Sequence, residues 1–308
     1  MKEITVFLST YNGEKYILQQ LDSLEKQKDV KINLFIRDDG STDNTIKLIN
    51  NFEFRNMNVR FVCGENIGVR DSFIWLINNC PFITEYYALC DQDDFWKDKK
   101  LISAINFLEK DTEKIPKLYY SNVIVTDENL NILSKSNYNS VNDCIPVGFV
   151  NNPATGCTIV FNKLLFKNLK FPKKYKIRMH DWWIYKVCLA INGKIYKDFE
   201  SYIYYRQHEN NVIGANKKQN KIKKIFDFSR KISYFSSETK ELEKIYSSKM
   251  KKEDVEKLQK VINLPYLSFF KKIKVLFDKD FNIGILKYTI QLKLSILIYK
   301  DRGIKSEK

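Results

Sequence analysis

A chain of 308 residues, 44% hydrophobic and 14% aromatic, can bury a sizeable core without covalent staples. Ten Gly and six Pro exclude collagen-like, low-complexity and disordered classes. The formal charge of +15 is uneven: residues 217–308 hold 24 Lys and Arg against 11 Asp and Glu, which leaves a net +2 for residues 1–216.

Short β-rich runs alternate with helical patterns over the first two hundred residues. Ile4–Thr10 reads as a strand, followed by an amphipathic helix with Ile17, Leu21 and Leu24 on one face. Ile32–Asp39, Val59–Cys63 and Tyr86–Asp91 read as further strands, separated by helices around Ile46–Ile49 and Phe73–Ile77. This βαβαβαβ order predicts an α/β fold, a Rossmann-like and mostly parallel sheet with helices on both faces, whose ligands gather beyond the carboxyl ends of the strands. A more irregular part follows through Leu118–Val125, Thr155–Phe161, a helix over Trp182–Ala190 and a strand over Ser201–His208. Composition and pattern then change near residues 215–219, which divides a domain at 1–216 (nucleotide part about 1–115, acceptor part about 116–216) from a basic helical region at 217–308. Cys63, Cys80, Cys90, Cys144, Cys157 and Cys188 form no C-x-x-C pair and no basic-then-apolar leader precedes Ile4, so reduced thiols and a cytoplasmic setting are expected.

The polar clusters sit where the strands end. Ser9, Thr10, Tyr11 and Asn12 close the first strand, and Arg37-Asp38-Asp39-Gly40-Ser41-Thr42-Asp43 closes the second. A strand, a glycine turn and a helix cap account for Gly40, Ser41 and Asp43 but not for the acidic pair. A carboxylate at a strand tip can accept from a base N–H or a ribose hydroxyl, and Tyr11 can stack on a base. Asp91, Asp93 and Asp94 place three carboxylates in four residues after an apolar strand. Such crowding raises their pKa values unless a cation offsets it, although a single Asp would serve as a helix cap. The chain has two histidines, His180 beside Asp181, Trp182 and Trp183, and His208 after Arg206 and Gln207. Asp181 beside two indoles is placed for a raised proton affinity, which suits a general base.

The ordered set STYN, RDDGSTDNT, Asn66-Ile67-Gly68, DQDD, TGC, HDWW and YRQHxxNxxG over about residues 3–215 resembles the inverting family-2 glycosyltransferases of the GT-A fold, and most of all bacterial rhamnosyltransferases of surface polysaccharide synthesis. The resemblance implies Ser9, Tyr11 and Asp39 for the nucleoside, Asp91 and Asp93 as a D-x-D pair, Asp93 and His208 as ligands of a divalent metal (Mg²⁺ or Mn²⁺), and Arg206 toward the diphosphate. It makes Asp181 the catalytic base, and adds Asn66, Gly68, Arg70, Thr155, Gly156, His180 and Trp182 to the substrate-binding set. Many relatives carry Glu where this chain has His180. The implied donor is dTDP-rhamnose or a UDP-hexose, and the acceptor a saccharide or lipid-linked saccharide. Two other classes compete. A nucleotidyltransferase would carry a glycine-rich basic loop near the first strand, where STYNGEKY offers one Gly and one Lys; specific nucleic-acid binding would need a recognition motif that the chain lacks.

In the basic region, Ile283, Leu286, Ile290, Leu294 and Leu297 form a helical stripe near Lys287, Lys293 and Lys300, far short of the ~20 apolar residues of a transmembrane span. Two readings of the stripe stand side by side: docking on an anionic membrane surface, peripheral on the inner face of the cell membrane, or packing on the first domain or on a second subunit of a homo-oligomer.

Overall fold

The computed structural model describes residues 1–136, 141–172, 177–208 and 220–300. Among them nine strands form one sheet: β1 (Lys2–Thr10), β2 (Val30–Asp38), β3 (Met57–Cys63), β4 (Tyr86–Cys90), β5 (Phe95–Trp96), β6 (Lys117–Thr126), β7 (Ile132–Lys135), β8 (Val160–Asn162) and β9 (Lys194–Arg206). Seven helices accompany the strands: α1 (Ile17–Glu25), α2 (Thr45–Asn51), α3 (Val69–Asn78), α4 (Lys100–Leu108), α5 (Val147–Val150), α6 (Lys163–Asn168) and α7 (His180–Ala190). Five more follow: α8 (Lys221–Ser229), α9 (Ile232–Tyr246), α10 (Lys252–Asn263), α11 (Phe269–Phe277) and α12 (Leu286–Ile298). The domain boundary expected at residues 215–219 lies outside the described residues.

The sheet order is β3-β2-β1-β4-β8-β6-β9-β5, with β7 on β6. The first four strands are parallel; β1, β2 and β4 are largely apolar runs buried on both faces, whereas the edge strand β3 alternates and is only partly covered. Side chains alternate between the faces: Ile4, Val6 and Leu8 pack with α1 and α4 residues, while Phe7, Phe35 and Leu89 pack with α3 and α7. Beyond β4 the sheet becomes mixed, because β8 runs antiparallel to both β4 and β6 while β9 runs parallel to β6.

Register places the functional tips. Leu8 of β1 pairs with Ile36 of β2 and with Cys90 of β4, so Ser9–Thr10, Asp38–Asp39 and Asp91 emerge together at one edge. The chain order reverses direction between β1 and β4, and an open α/β sheet leaves a crevice at such a point. Two-residue β5 pairs Phe95 with Tyr204 and Trp96 with Ile203, which fastens the loop after β4 to the end of β9. The segment Thr155–Phe161, apolar in sequence, divides into a 3-10 turn at Gly156–Thr158 and β8, because the Thr158 N–H and hydroxyl both donate to the Thr155 carbonyl.

α7 is buried around its circumference and needs partners on every side. The sheet supplies one and α9 supplies another. Ile232, Phe235, Leu242 and Tyr246 of α9 share a core with Trp182, Trp183 and Val187, and Phe235 meets the Trp182 ring edge-on at 5.4 Å. Lys186 of α7 and Glu238 of α9 form an ion pair with both side chains wholly buried, and the Lys186 ammonium sits 4.1 Å from the Trp182 ring centroid. Glu238 also accepts from the Arg178 N–H at 2.9 Å. One face of α9 in the basic region is therefore buried on the same core as the sheet.

Removing one member of a buried pair strands the other charge. Glu238→Ala is expected to destabilise the protein by ~3–5 kcal/mol, read as a lowered urea midpoint, whereas Lys186→Met with Glu238→Leu recovers much of that loss. Equal midpoints for Glu238→Ala and the unaltered protein would show that the pair does not hold α9 in place.

Candidate active site

A cleft of about 850 Å³ opens at the carboxyl edge of β1 and β4. Twelve of the fifteen residues proposed from sequence line it: Ser9, Tyr11, Asp39, Asn66, Gly68, Asp91, Asp93, Thr155, Gly156, His180, Asp181 and His208. Arg70, Trp182 and Arg206 do not line it.

On the nucleotide side, the acidic pair after β2 divides its work. Asp38 builds its own turn, accepting from Thr10 Oγ1 at 2.8 Å, from the Ser41 hydroxyl at 2.6 Å and from the N–H groups of Gly40 and Ser41. Asp39 faces the cleft but clamps the opposite loop, accepting from the N–H of Ile67 at 2.9 Å and of Gly68 at 2.8 Å and pairing with Arg37. Gly68 precedes α3 at φ 82°, in the left-handed region that glycine favours. Ser9 donates to the Ser72 hydroxyl at 2.7 Å, and Tyr11 remains 45% exposed, its ring available for stacking.

The acidic loop after β4 forms the floor. Asp93 Oδ2 lies 2.8 Å from His208 Nε2, so the two ligands expected for a metal meet in space although 115 residues separate them. Burial, then the charges of Asp93 and Asp181, push the Asp91 carboxyl up to about 7. Asp94 turns inward and fully buried; it accepts from the Arg206 N–H at 3.2 Å and has one oxygen with no hydrogen-bond partner. Asp91, Asp94 and Cys157 offer ligand atoms within 4.8 Å of one another, but burial drives the Asp94 carboxyl and the Cys157 thiol well above their ordinary values. Neither Asp94 nor Cys157 lines the cleft, so the two carboxylates that do, Asp91 and Asp93, together with the His208 imidazole, are the donors open to a divalent cation. The like-charge strain on Asp91 is the observation that fits such an ion.

Arg206 is 2% exposed beneath this loop. It donates from Nε to the Asp93 carbonyl at 2.8 Å and from Nη2 to Gln19 at 2.7 Å, and its guanidinium lies 4.4 Å from the Tyr16 ring centroid. Its contacts shape the Asp93 loop rather than the open cleft. Arg70 binds Asp71 and the Ile177 carbonyl, and Trp182 donates to the Gly148 carbonyl at 2.8 Å from within the core. The residues that follow His208 in the late motif, Asn211 and Gly214 among them, lie outside the described residues.

Asp181 opens α7 from the other wall. It is 9% exposed, accepts from the Trp182 N–H at 2.7 Å, and is pushed up to about 6 by burial. A methyl group on Gly156 would stand 3.3 Å from Asp181 Oδ2, so the close approach of that turn favours glycine. His180 stacks on Phe73 at 4.1 Å, and burial pulls its pKa down to about 3, which keeps the ring neutral.

Sequence reasoning missed several lining residues. Gln92 clips the two strand tips together, accepting from the Tyr11 N–H and donating to the Tyr11 carbonyl, each at 2.9 Å. Its place inside DQDD was the available signal. Lys15 pairs with Glu128 at the mouth, and the Tyr16 ring lies 5.0 Å from that of His208. Both lie in the Gly13–Tyr16 half of STYNGEKY, which was weighed only for its lack of a phosphate loop. Tyr205 opens the YRQH motif but was given no role there, and no sequence signal marks Glu128.

Comparison with known proteins accords with this layout. The family model described as glycosyl transferase family 2 matches residues 5–168. A dTDP-rhamnosyl transferase, RfbG of Shigella flexneri, is 34% identical over 221 residues, covering 68% of this chain and 74% of that protein. The Escherichia coli UDP-Glc:alpha-D-GlcNAc-diphosphoundecaprenol beta-1,3-glucosyltransferase WfaP is 25% identical over 236 residues, covering 70% and 82%. Among solved structures, S. aureus TarS 1-349 in complex with UDP-GlcNAc matches at TM-score 0.59 and 16% identity, covering 95% of this chain and 91% of that one. The mannosyltransferase PcManGT of Pyrobaculum calidifontis, in complex with GDP-Man and Mn2+, matches at TM-score 0.51 and 14% identity, covering 96% and 85%. The sheet and its flanking helices are the GT-A fold, and the chain belongs to glycosyl transferase family 2.

Proposed function

We propose that this glycosyltransferase moves L-rhamnose from dTDP-rhamnose to a saccharide or lipid-linked saccharide acceptor, with inversion at the anomeric carbon, in cell-surface polysaccharide synthesis. One observation carries the reaction type: a buried carboxylate with raised proton affinity, Asp181, shares a single cleft with the acidic floor of Asp91, Asp93 and His208. The donor assignment is supported by the 34% identity to a dTDP-rhamnosyl transferase. A second reading, a UDP-hexose donor, is favoured by the likeness to a glucosyltransferase whose name gives UDP-Glc and a diphosphoundecaprenol-linked acceptor.

In this mechanism Asp181 takes the proton of the acceptor hydroxyl as it attacks the anomeric carbon, and the nucleoside diphosphate departs from the opposite face. A positioned base contributes ~10²–10⁴-fold. Tyr11 and the Asp39-clamped loop hold the nucleoside, and Asp91 lies beside them for the ribose. Asp93 and His208 would hold a Mg²⁺ or Mn²⁺ ion, which supplies positive charge for the leaving diphosphate. Arg206 acts indirectly, by fixing the backbone of Asp93. No covalent enzyme intermediate is needed.

Thermal stabilisation by a panel of nucleotide sugars, with and without Mn²⁺, tests the donor: dTDP-rhamnose should raise Tm more than UDP-glucose, and the metal should enlarge the shift. Asp93→Asn should abolish the metal-dependent part of both binding and transfer while leaving the fold intact. Full activity in chelator would remove the metal from the scheme.

The base is tested by pH. Its active form is the deprotonated one, so kcat should rise as pH climbs through about 6, falling about tenfold per unit below that value. Asp181→Asn should lower kcat by ~10²-fold or more and erase this limb, with donor affinity nearly unchanged. Gly156→Ala, which crowds Asp181, should lower kcat in the same direction but keep the limb. Parallel losses of donor binding and rate in Asp181→Asn would place this side chain in the donor pocket instead.

A further inference from the structure

α12 is apolar on two faces, and among the described residues only one is covered. Thr289, Leu292, Ser295 and Ile296 are buried, against neighbours that include α8 and α11. Leu286, Ile290 and Leu294, spaced four residues apart on another face, are 75%, 48% and 36% exposed. Of the stripe read from sequence, Ile283 alone is fully buried. The adjoining α11 repeats the pattern: Phe270 and Phe277, seven residues apart on one face, are 78% and 80% exposed, and Phe269 is 62% exposed. A helix apolar on both sides has a second partner.

The charges around these rows say which. Lys271, Lys274, Lys287 and Lys300 are exposed on or beside the two helices, within a region of net +13. Two copies meeting across a twofold axis would set these lysines against themselves. An anionic lipid surface instead pairs each ammonium with a headgroup phosphate and receives phenylalanine and leucine side chains at the acyl boundary. No helix among the described residues is long and apolar enough to cross a membrane, so the geometry is that of an element lying in the interface.

We propose that the exposed rows of α11 and α12, with their flanking lysines, dock this protein on an anionic bilayer. The surface is independent of the cleft, so its test stands apart from the proposed reaction; its purpose is clear if the acceptor is carried on a lipid.

The full-length protein should sediment with vesicles of phosphatidylglycerol and phosphatidylcholine at least ~10-fold more strongly than with phosphatidylcholine alone, and the preference should shrink at high salt. Ile290→Asp with Leu294→Asp should cost ~10-fold or more of that binding, and so should Phe270→Asp with Phe277→Asp. Because these side chains are exposed, urea midpoints should stay close to that of the unaltered protein. Lys271→Gln with Lys274→Gln and Lys287→Gln, which touches no apolar group, should remove the preference for the anionic lipid. Absence of binding to anionic vesicles at low salt overturns the proposal. So does binding that the aspartate variants leave unchanged, and so does a dimer in sedimentation analysis that Ile290→Asp dissociates, which would make the face an interface between copies.

Discussion

Repulsion among carboxylates is the constraint around which this chain is arranged. Asp91, Asp93, Asp94 and Asp181 gather at one end of one sheet, where burial already disfavours the charge of Asp91, Asp94 and Asp181. Left to themselves they would part. The parallel register of β1, β2 and β4 fixes one wall, the short β5–β9 ladder fixes the loop that carries three of the four, and α7 fixes the last. Arg206 beneath the loop and Lys100, buried nearby and pulled down to about 7 chiefly by burial, offset part of the charge. The remainder favours any cation that can enter, so ligand binding and stability are coupled at this edge of the molecule.

The parts of this arrangement that were legible in the sequence share a physical cause. β1, β2 and β4 are buried on both faces and therefore read as unbroken apolar runs, and the polar residues that end them could only be loops at the crevice. Ser9, Asp39, Asp91 and Asp93 line the cleft at these strand ends. Pairings made late in the chain were harder to see. β5 has two residues and no period to detect, yet it brings His208 to Asp93. Arg206 looked like a ligand for diphosphate because its charge is visible, whereas its partners at Asp93 and Glu128 are backbone carbonyls, which a sequence does not display.

The basic region shows the limit of periodicity. Leu286, Ile290 and Leu294 fall on one helical stripe and Leu292 and Ile296 on another, and both satisfy a period of 3.6. Which one turns inward is decided by the neighbours, α8 and α11, whose positions depend on contacts far away in sequence. Charge counting says nothing of Glu238, an acidic residue carried into the core to meet Lys186.

That ion pair has a consequence for the order in which the protein is made. Lys186 and Glu238 are 52 residues apart, and the loops bearing Asp39, Asp91 and Asp93 all precede both. A chain emerging from the ribosome therefore displays its acidic crevice first, while α7 still holds an uncompensated ammonium in an apolar setting and Arg178 still lacks the acceptor for its N–H. The wall carrying Asp181 settles only when α9 has been synthesised. A chain that stops between these two points lacks the partner that neutralises Lys186 inside the core, and is expected to be less stable than the full chain.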